Sequence, residues 1–302
     1  MLMRFAVRTL KPVLSEAAWQ RLRHLDPRAA ERDRQRAHRD AVRARREARH
    51  AAEQKRLAAA DLSTKNLTQL AKHFGTDKWG RHRYTPHYER HLSQLKHEHF
   101  TLLEIGIGGY SRAGAGGASL RMWKSYFPEA EIVGLDIEDK SFVDEDRIST
   151  VQGSQVDAEL LQSIAARAGD NLRVVIDDGS HQNEHILETF RILFPLLADG
   201  GTYVIEDTQT SYWKKYGGST DPFDPHTSMN MVKALLDDLN YEEHTPPEHE
   251  PSYTELHVVG VHAYHNLVFI DKGLNNEDAG KRARALANKA SLAEQPQAGP
   301  AT

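Results

Sequence analysis

Two short acidic stretches carry most of the chemistry open to this chain of 302 residues. The first, VVIDDGSHQNEH over 174–185, sets Asp177 and Asp178 just before His181. The second, VIEDTQTSYW over 204–213, runs from apolar residues into Glu206 and Asp207. Four carboxylates gathered at one place repel one another unless protons or a cation neutralise them. Oxygen donors, no cysteine and one candidate imidazole favour Mg2+ or Ca2+, since zinc asks for more nitrogen or sulfur. A single Asp-Asp or Glu-Asp pair is ordinarily a helix cap or surface charge, and a single histidine is ordinarily structural. Two such pairs brought together by neighbouring strands read instead as a cation site. His181, three residues beyond Asp178, then stands as a general base.

A third stretch, LLEIGIGGYS over 102–111, ends an apolar run on Gly106, Gly108 and Gly109. Glycines directly after a first parallel strand let the backbone approach a ligand closely. Glu104 lies just inside that strand, and Asp136 ends the next one, where a carboxylate can accept both hydroxyls of a ribose. The last position of a G-x-G-x-x-G pattern is Ser111 here, and Asp136 follows Gly106 by 30 residues. A dinucleotide site places its acid at about 20. Both departures count against NAD and leave room for another adenosine cofactor.

The elements that must position these residues are legible as an alternation. TLLEIG (101–106), EIVGLD (131–136), ISTVQG (148–153), LRVVID (172–177) and GTYVIED (201–207) read as buried strands. SLRMWKSYF, AELLQSIAARAG, EHILETFRILFPLL and HTSMNMVKALLDDL read as helices between or after them. That spacing means βαβ units and a parallel sheet covered on both faces, an α/β fold. LHVVGVHAY and NLVFIDKG lie too close together for a crossover helix, so they pair as an antiparallel hairpin. Asn66–Phe74 has helical apolar spacing, with Gly75 as its C-cap.

The closing hairpin, the E-x-G-x-G pattern and Asp136 together resemble the class I S-adenosylmethionine-dependent methyltransferases. This implies a Rossmann-like sheet of order 3-2-1-4-5-7-6 with strand 7 antiparallel. Within that class, the I-D-D-G-S-H and I-E-D stretches and the upstream GTDKWG…Y-x-x-H-Y resemble the sugar O-methyltransferases of the mycinamicin and macrocin type, over roughly 62–272. The resemblance implies S-adenosyl-L-methionine as methyl donor and a saccharide or glycoside as acceptor. It assigns Mg2+ to Asp178, Glu206 and Asp207, and the proton of the sugar hydroxyl to His181. Glu104, Gly106, Asp136 and Gln155 fall on cofactor contacts, and Thr76–Tyr88 becomes a cover with Tyr84 touching the cofactor. A phenolic acceptor, as in catechol-type enzymes, is the alternative within the same chemistry. An NAD oxidoreductase leaves the carboxylate cluster unexplained, and a metal-dependent hydrolase leaves the glycine loop idle.

Composition sets the frame around this. Residues 1–60 hold 16 Lys and Arg against 7 Asp and Glu, so with a net charge of −4 the remaining 242 residues carry −13. An acidic body is no footprint for nucleic acid. Residues 29–60 are rich in Ala, Arg and Glu, which favours a solvated helix without a coiled-coil seam. The reading is therefore a basic helical extension over 1–61, a methyltransferase domain over 62–278 and a loose tail over 279–302. A scaffold working through the basic arm is the non-enzymatic alternative. Macrolide-acting members of the group carry a larger N-terminal domain, where this chain offers about 60 helical residues. The first 14 residues are apolar but broken by Arg4, Arg8 and Lys11, which argues against a signal peptide and allows a peripheral membrane contact. No apolar run reaches the roughly 18 residues of a membrane span, and the absence of cysteine agrees with a cytoplasmic location. A homo-oligomer is expected.

Overall fold

The computed structural model describes residues 62–275 apart from Ser111, Ala113 and Pro247, together with residues 31, 34–36, 38–43 and 45. The apolar first 14 residues and the tail over 279–302 lie outside the described residues. Chain contacts divide the molecule into two units, Met1–Asp61 and Leu62–Thr302. In the first unit the described residues are helical and exposed, and Gln35 donates to Glu31 one turn earlier at 3.2 Å. Among the described residues no helix is long and apolar enough to cross a membrane.

The second unit is built on seven strands: β1 (Thr101–Ile105), β2 (Glu131–Asp136), β3 (Ile148–Gln152), β4 (Leu172–Asp177), β5 (Thr202–Glu206), β6 (Val258–Tyr264) and β7 (Leu267–Lys272). Their order is 3-2-1-4-5-7-6, as the resemblance implies. The first five are parallel, and β7 runs antiparallel to both β5 and β6. β1 and β5 are buried at every position because helices cover both faces of the sheet. The pleat sorts their side chains into two cores. Leu102, Val174, Ile176, Val204 and Phe269 point to one face, while Leu103, Ile105, Val175, Ile205 and Ile270 point to the other.

On the first face lie α1 (Leu67–Phe74), α2 (Thr85–Leu92) and α3 (Ala118–Tyr126), which add Leu67, Leu70, Tyr88, Leu92 and Trp123 to the core. The second face is covered by α4 (Ala158–Ala168), α5 (Asn183–Leu193) and α6 (Ser228–Asp238). Asn66 caps α1 in a reciprocal capping box with Gln69, and Gly75 ends it at φ 74°, which a residue with a side chain adopts at a cost.

Two of the boundaries that differ from the sequence reading have a local cause. The run EHILETFRILFPLL ends as a helix at Leu193, two residues before Pro195, whose missing N–H cannot continue the ladder. Leu256 and His257 belong to a short helix, Tyr253–His257, because a Ser252–Glu255 capping box starts a turn there and delays the strand to Val258.

Candidate active site

In the sheet register Ile105 lies beside Asp177, and Asp177 beside Ile205, so β1, β4 and β5 end at one level. Asp178 and Asp207 are the first residues past the ends of β4 and β5. His181 follows in the loop that leads into α5. Its Nε2 is 4.0 Å from Asp178 Oδ1 and 3.7 Å from Asp207 Oδ2. One ligand atom from each of Asp178, His181 and Asp207 falls within a 4.8 Å group of half-buried residues. His181 and Asp207 both sit at positive φ, 58° and 53°. That backbone strain, of order 1–3 kcal/mol per residue, aims their side chains inward and is held by the surrounding structure.

Asp207 is held from the N-terminal side. The Tyr84 hydroxyl donates to its Oδ1 at 2.7 Å, and His82, stacked on Tyr84, places Nδ1 3.7 Å away. Burial pushes the Asp207 carboxyl up, but the Tyr84 hydrogen bond and the two imidazoles outweigh it and keep the group below its usual range. Tyr84, expected on the cofactor, therefore serves Asp207, and its own phenol is raised by burial and by that carboxylate.

Glu206 does not join this group. Its carboxylate turns to Lys78, whose Nζ lies 2.6 Å from Glu206 Oε1, 2.9 Å from Asp178 Oδ2 and 3.0 Å from Glu104 Oε1. Tyr88 donates to the same Glu206 oxygen. Lys78 is 1% exposed, so one buried ammonium ties the ends of β1, β4 and β5 together. Burial works against its charge, yet Asp178, Glu104 and Glu206 hold its pKa well above the ordinary lysine value. Burial raises Glu104, Asp178 and Glu206, and Lys78 opposes the rise in each. The expected Mg2+ ligand set of Asp178, Glu206 and Asp207 thus divides: Asp178 and Asp207 face His181, and Glu206 faces Lys78. Glu104, expected at the cofactor, is completely buried and serves the lysine as well.

Sequence reasoning missed Lys78. It appears inside GTDKWG, but its partners Asp178 and Glu206 lie 100 and 128 residues further on. The available signal was a lysine inside GTDKWG, in a chain whose clustered acids require a counter-charge.

The glycine loop adjoins this cluster by backbone contact. Asp178 N–H donates to Ile105 C=O at 3.0 Å, and a Cβ on Gly106 would stand 2.2 Å from the Asp178 carbonyl oxygen. Gly106 is therefore demanded by the close passage of the β4 loop. Gly108, at φ 73°, faces open space where a Cβ would stand. Asp136 anchors the loop from β2, its Oδ2 accepting from Ile107 N–H at 3.1 Å. Gln155, also expected on the cofactor, has its amide turned inward: Nε2 donates to Asp177 and Thr189, and Oε1 accepts from Ser180 N–H at 2.7 Å. It holds the loop that carries Asp178 and His181. Asp177 lies beneath that loop, its carboxyl pushed up to about 6 by burial.

Residues 105–255 match the family described as rhamnosyl O-methyltransferase/CmcI. The demethylmacrocin O-methyltransferase of Streptomyces fradiae is 48% identical over 225 residues, which is 73% of this chain and 56% of that protein. The mycinamicin VI 2''-O-methyltransferase of Micromonospora griseorubida is 46% identical over 224 residues, with the same shares. The methyltransferase MycE of the mycinamycin pathway, solved with Mg, SAH and mycinamycin VI, superposes with a TM-score of 0.68 at 48% identity, over 71% of this chain and 55% of that one. The chain thus spans just over half the length of the relatives it matches.

Proposed function

Because this chain belongs to the rhamnosyl O-methyltransferase/CmcI family, we propose that it transfers a methyl group from S-adenosylmethionine to a hydroxyl of a saccharide or glycoside acceptor, with Mg2+ at the Asp178–Asp207 cluster. The observation that carries the reading is the backbone contact between the Gly106 loop and Asp178, which sets a nucleotide-type loop directly against a cation-type cluster. The open space at Gly108 and the carboxylate of Asp136 suit the adenosyl cofactor. The two aspartates facing an imidazole suit a hard cation, which takes oxygen before nitrogen.

When bound there, Mg2+ supplies a positive field that lowers the pKa of a sugar hydroxyl. Asp178 and Asp207 would supply oxygen ligands; Asp178 does so through Oδ1 while its Oδ2 stays on Lys78, and Glu206 Oε1 is taken by Lys78 and Tyr88. His181 Nε2, facing both aspartates, takes the hydroxyl proton, and Asp207 stabilises the imidazolium that results. The sugar oxygen bonds to the methyl carbon as the C–S bond breaks, and the thioether leaves uncharged. Two adjacent hydroxyls suit this arrangement better than an isolated one. Holding both reactants at near-attack distance supplies much of the remaining rate.

The test is methyl transfer from labelled donor to a panel of glycosides and oligosaccharides with Mg2+, read by mass spectrometry. Methylated sugar is expected, and labelling confined to phenolic acceptors would favour the catechol-type alternative. His181→Ala should retain cofactor affinity while losing about 100-fold or more in turnover. Unchanged turnover removes His181 from the reaction. The same reading takes the enzyme to be cytoplasmic and homo-oligomeric, the latter measurable by sedimentation.

A further inference from the structure

A second group of metal-type donors lies at the other end of the sheet. His91 comes from the last turn of α2, His262 from β6 and Asp271 from β7, and one ligand atom from each falls within a 4.8 Å group. Asp271 pairs in register with Thr202, the first residue of β5, whereas Asp207 follows the last. The length of β5, roughly 3.4 Å per residue, therefore separates this group from the candidate active site.

Four features of the group go beyond a surface ion pair. His262 Nε2 and Asp271 Oδ2 already approach to 3.0 Å, and the two imidazoles lie side by side with centroids 4.5 Å apart. Asp271 is oriented from behind, its Oδ1 accepting from the Thr202 hydroxyl at 2.8 Å. The His91 ring is fixed by stacking on Phe269 and by the Tyr264 hydroxyl 2.8 Å from Nε2. Opposite Asp271 on β6 stands Gly260, where a Cβ would come within 3.1 Å of Asp271 Oδ2 and 3.3 Å of His262 Nε2. A glycine thus keeps open the space beside the two donor atoms. The side chain of His262 is 44% exposed, so an ion has a route in.

We propose that His91, His262 and Asp271 form a transition-metal site of the zinc class, separate from the Mg2+ site of the proposed reaction. Two imidazoles and a carboxylate make an N2O donor set that zinc or cobalt takes readily and magnesium does not. The ion would bridge His262 Nε2 and Asp271 Oδ2, which already face each other, and solvent would complete the coordination. Such a site pins the β6–β7 edge to α2, the helix that carries Tyr88 and, at its N-cap, Tyr84.

Cobalt is the probe, titrated into the full-length protein with Mg2+ in large excess and followed by visible absorption. One saturable event is expected with a Kd of about 1–100 µM, with the bands of a low-coordinate, histidine-ligated ion. His262→Ala and Gly260→Ala should each weaken it tenfold or more, while Asp178→Asn leaves it unchanged. Zinc should raise the midpoint of thermal unfolding in the parent and not in His262→Ala. His262 is exposed and Gly260→Ala alters no donor, so one folded variant remains if the other fails. The proposal is overturned if cobalt binds His262→Ala and Gly260→Ala as tightly as the parent, if no saturable event occurs, or if Asp178→Asn alone abolishes it. These readouts need no methyl transfer, so they stand or fall apart from the proposed reaction.

Discussion

Replacing Lys78 by methionine keeps the length of the side chain and removes its charge. Three carboxylates, Glu104, Asp178 and Glu206, then face one another with no ammonium between them. At an effective dielectric of about 20, each contact near 3 Å is worth roughly 5 kcal/mol of attraction before desolvation. The net cost of stripping one partner from a buried ion cluster is about 3–5 kcal/mol. Against a total stability of about 5–15 kcal/mol for a domain, that is a large fraction. The loss is also pH-dependent. Without Lys78 the folded carboxyls rise further above their unfolded values, and the native state binds protons that the unfolded state releases. Groups with raised folded pKa contribute stability that is present below the unfolded pKa and lost as pH rises through the folded one. The deficit of Lys78→Met should therefore grow toward neutral and alkaline pH, by about 1.4 kcal/mol per pH unit for each extra proton held. Urea denaturation of parent and variant with EDTA present, from pH 5 to pH 8, measures this directly. A deficit below about 1 kcal/mol at neutral pH, or one flat across the range, would refute the role of Lys78 as counter-charge.

Tyr84→Phe removes a hydrogen bond that helps hold the Asp207 carboxyl below its usual range, so that pKa should rise and the acid limb of kcat/KM should move to higher pH; an unmoved limb excludes the coupling. Exhaustive EDTA should abolish methyl transfer and Mg2+ should restore it, and full activity without divalent metal would remove the cation from the reaction. Glu255 accepts from Ser252 N–H and pairs with His249, and these contacts outweigh burial to hold its carboxyl below the usual value. Glu255→Ala should cost about 1 kcal/mol at neutral pH. Because the folded pKa is depressed, that difference is present above the unfolded pKa and should fade as pH falls through the folded one; thermal unfolding at several pH values reads it.

The alternation of apolar runs and amphipathic segments by itself determined a parallel sheet covered on both faces, because such strands must be apolar throughout and their crossovers must be helices; the order of the strands came from the family resemblance. The short link between VHAY and LVFI likewise required an antiparallel hairpin. Asp178, His181 and Asp207 were legible because strand ends at one level bring consecutive motifs together. The division of labour among the acids was decided only by tertiary structure. Glu206 and Asp207 are neighbours in the chain, yet one faces a buried lysine and the other a half-buried cluster, because the backbone turns left-handed at Asp207. Lys78, Tyr84 and Gln155 take their roles from partners up to 128 residues away, contacts that no local spacing encodes. Periodicity follows from the pitch of each element, whereas the pairing of a buried charge depends on which distant segment folds over it.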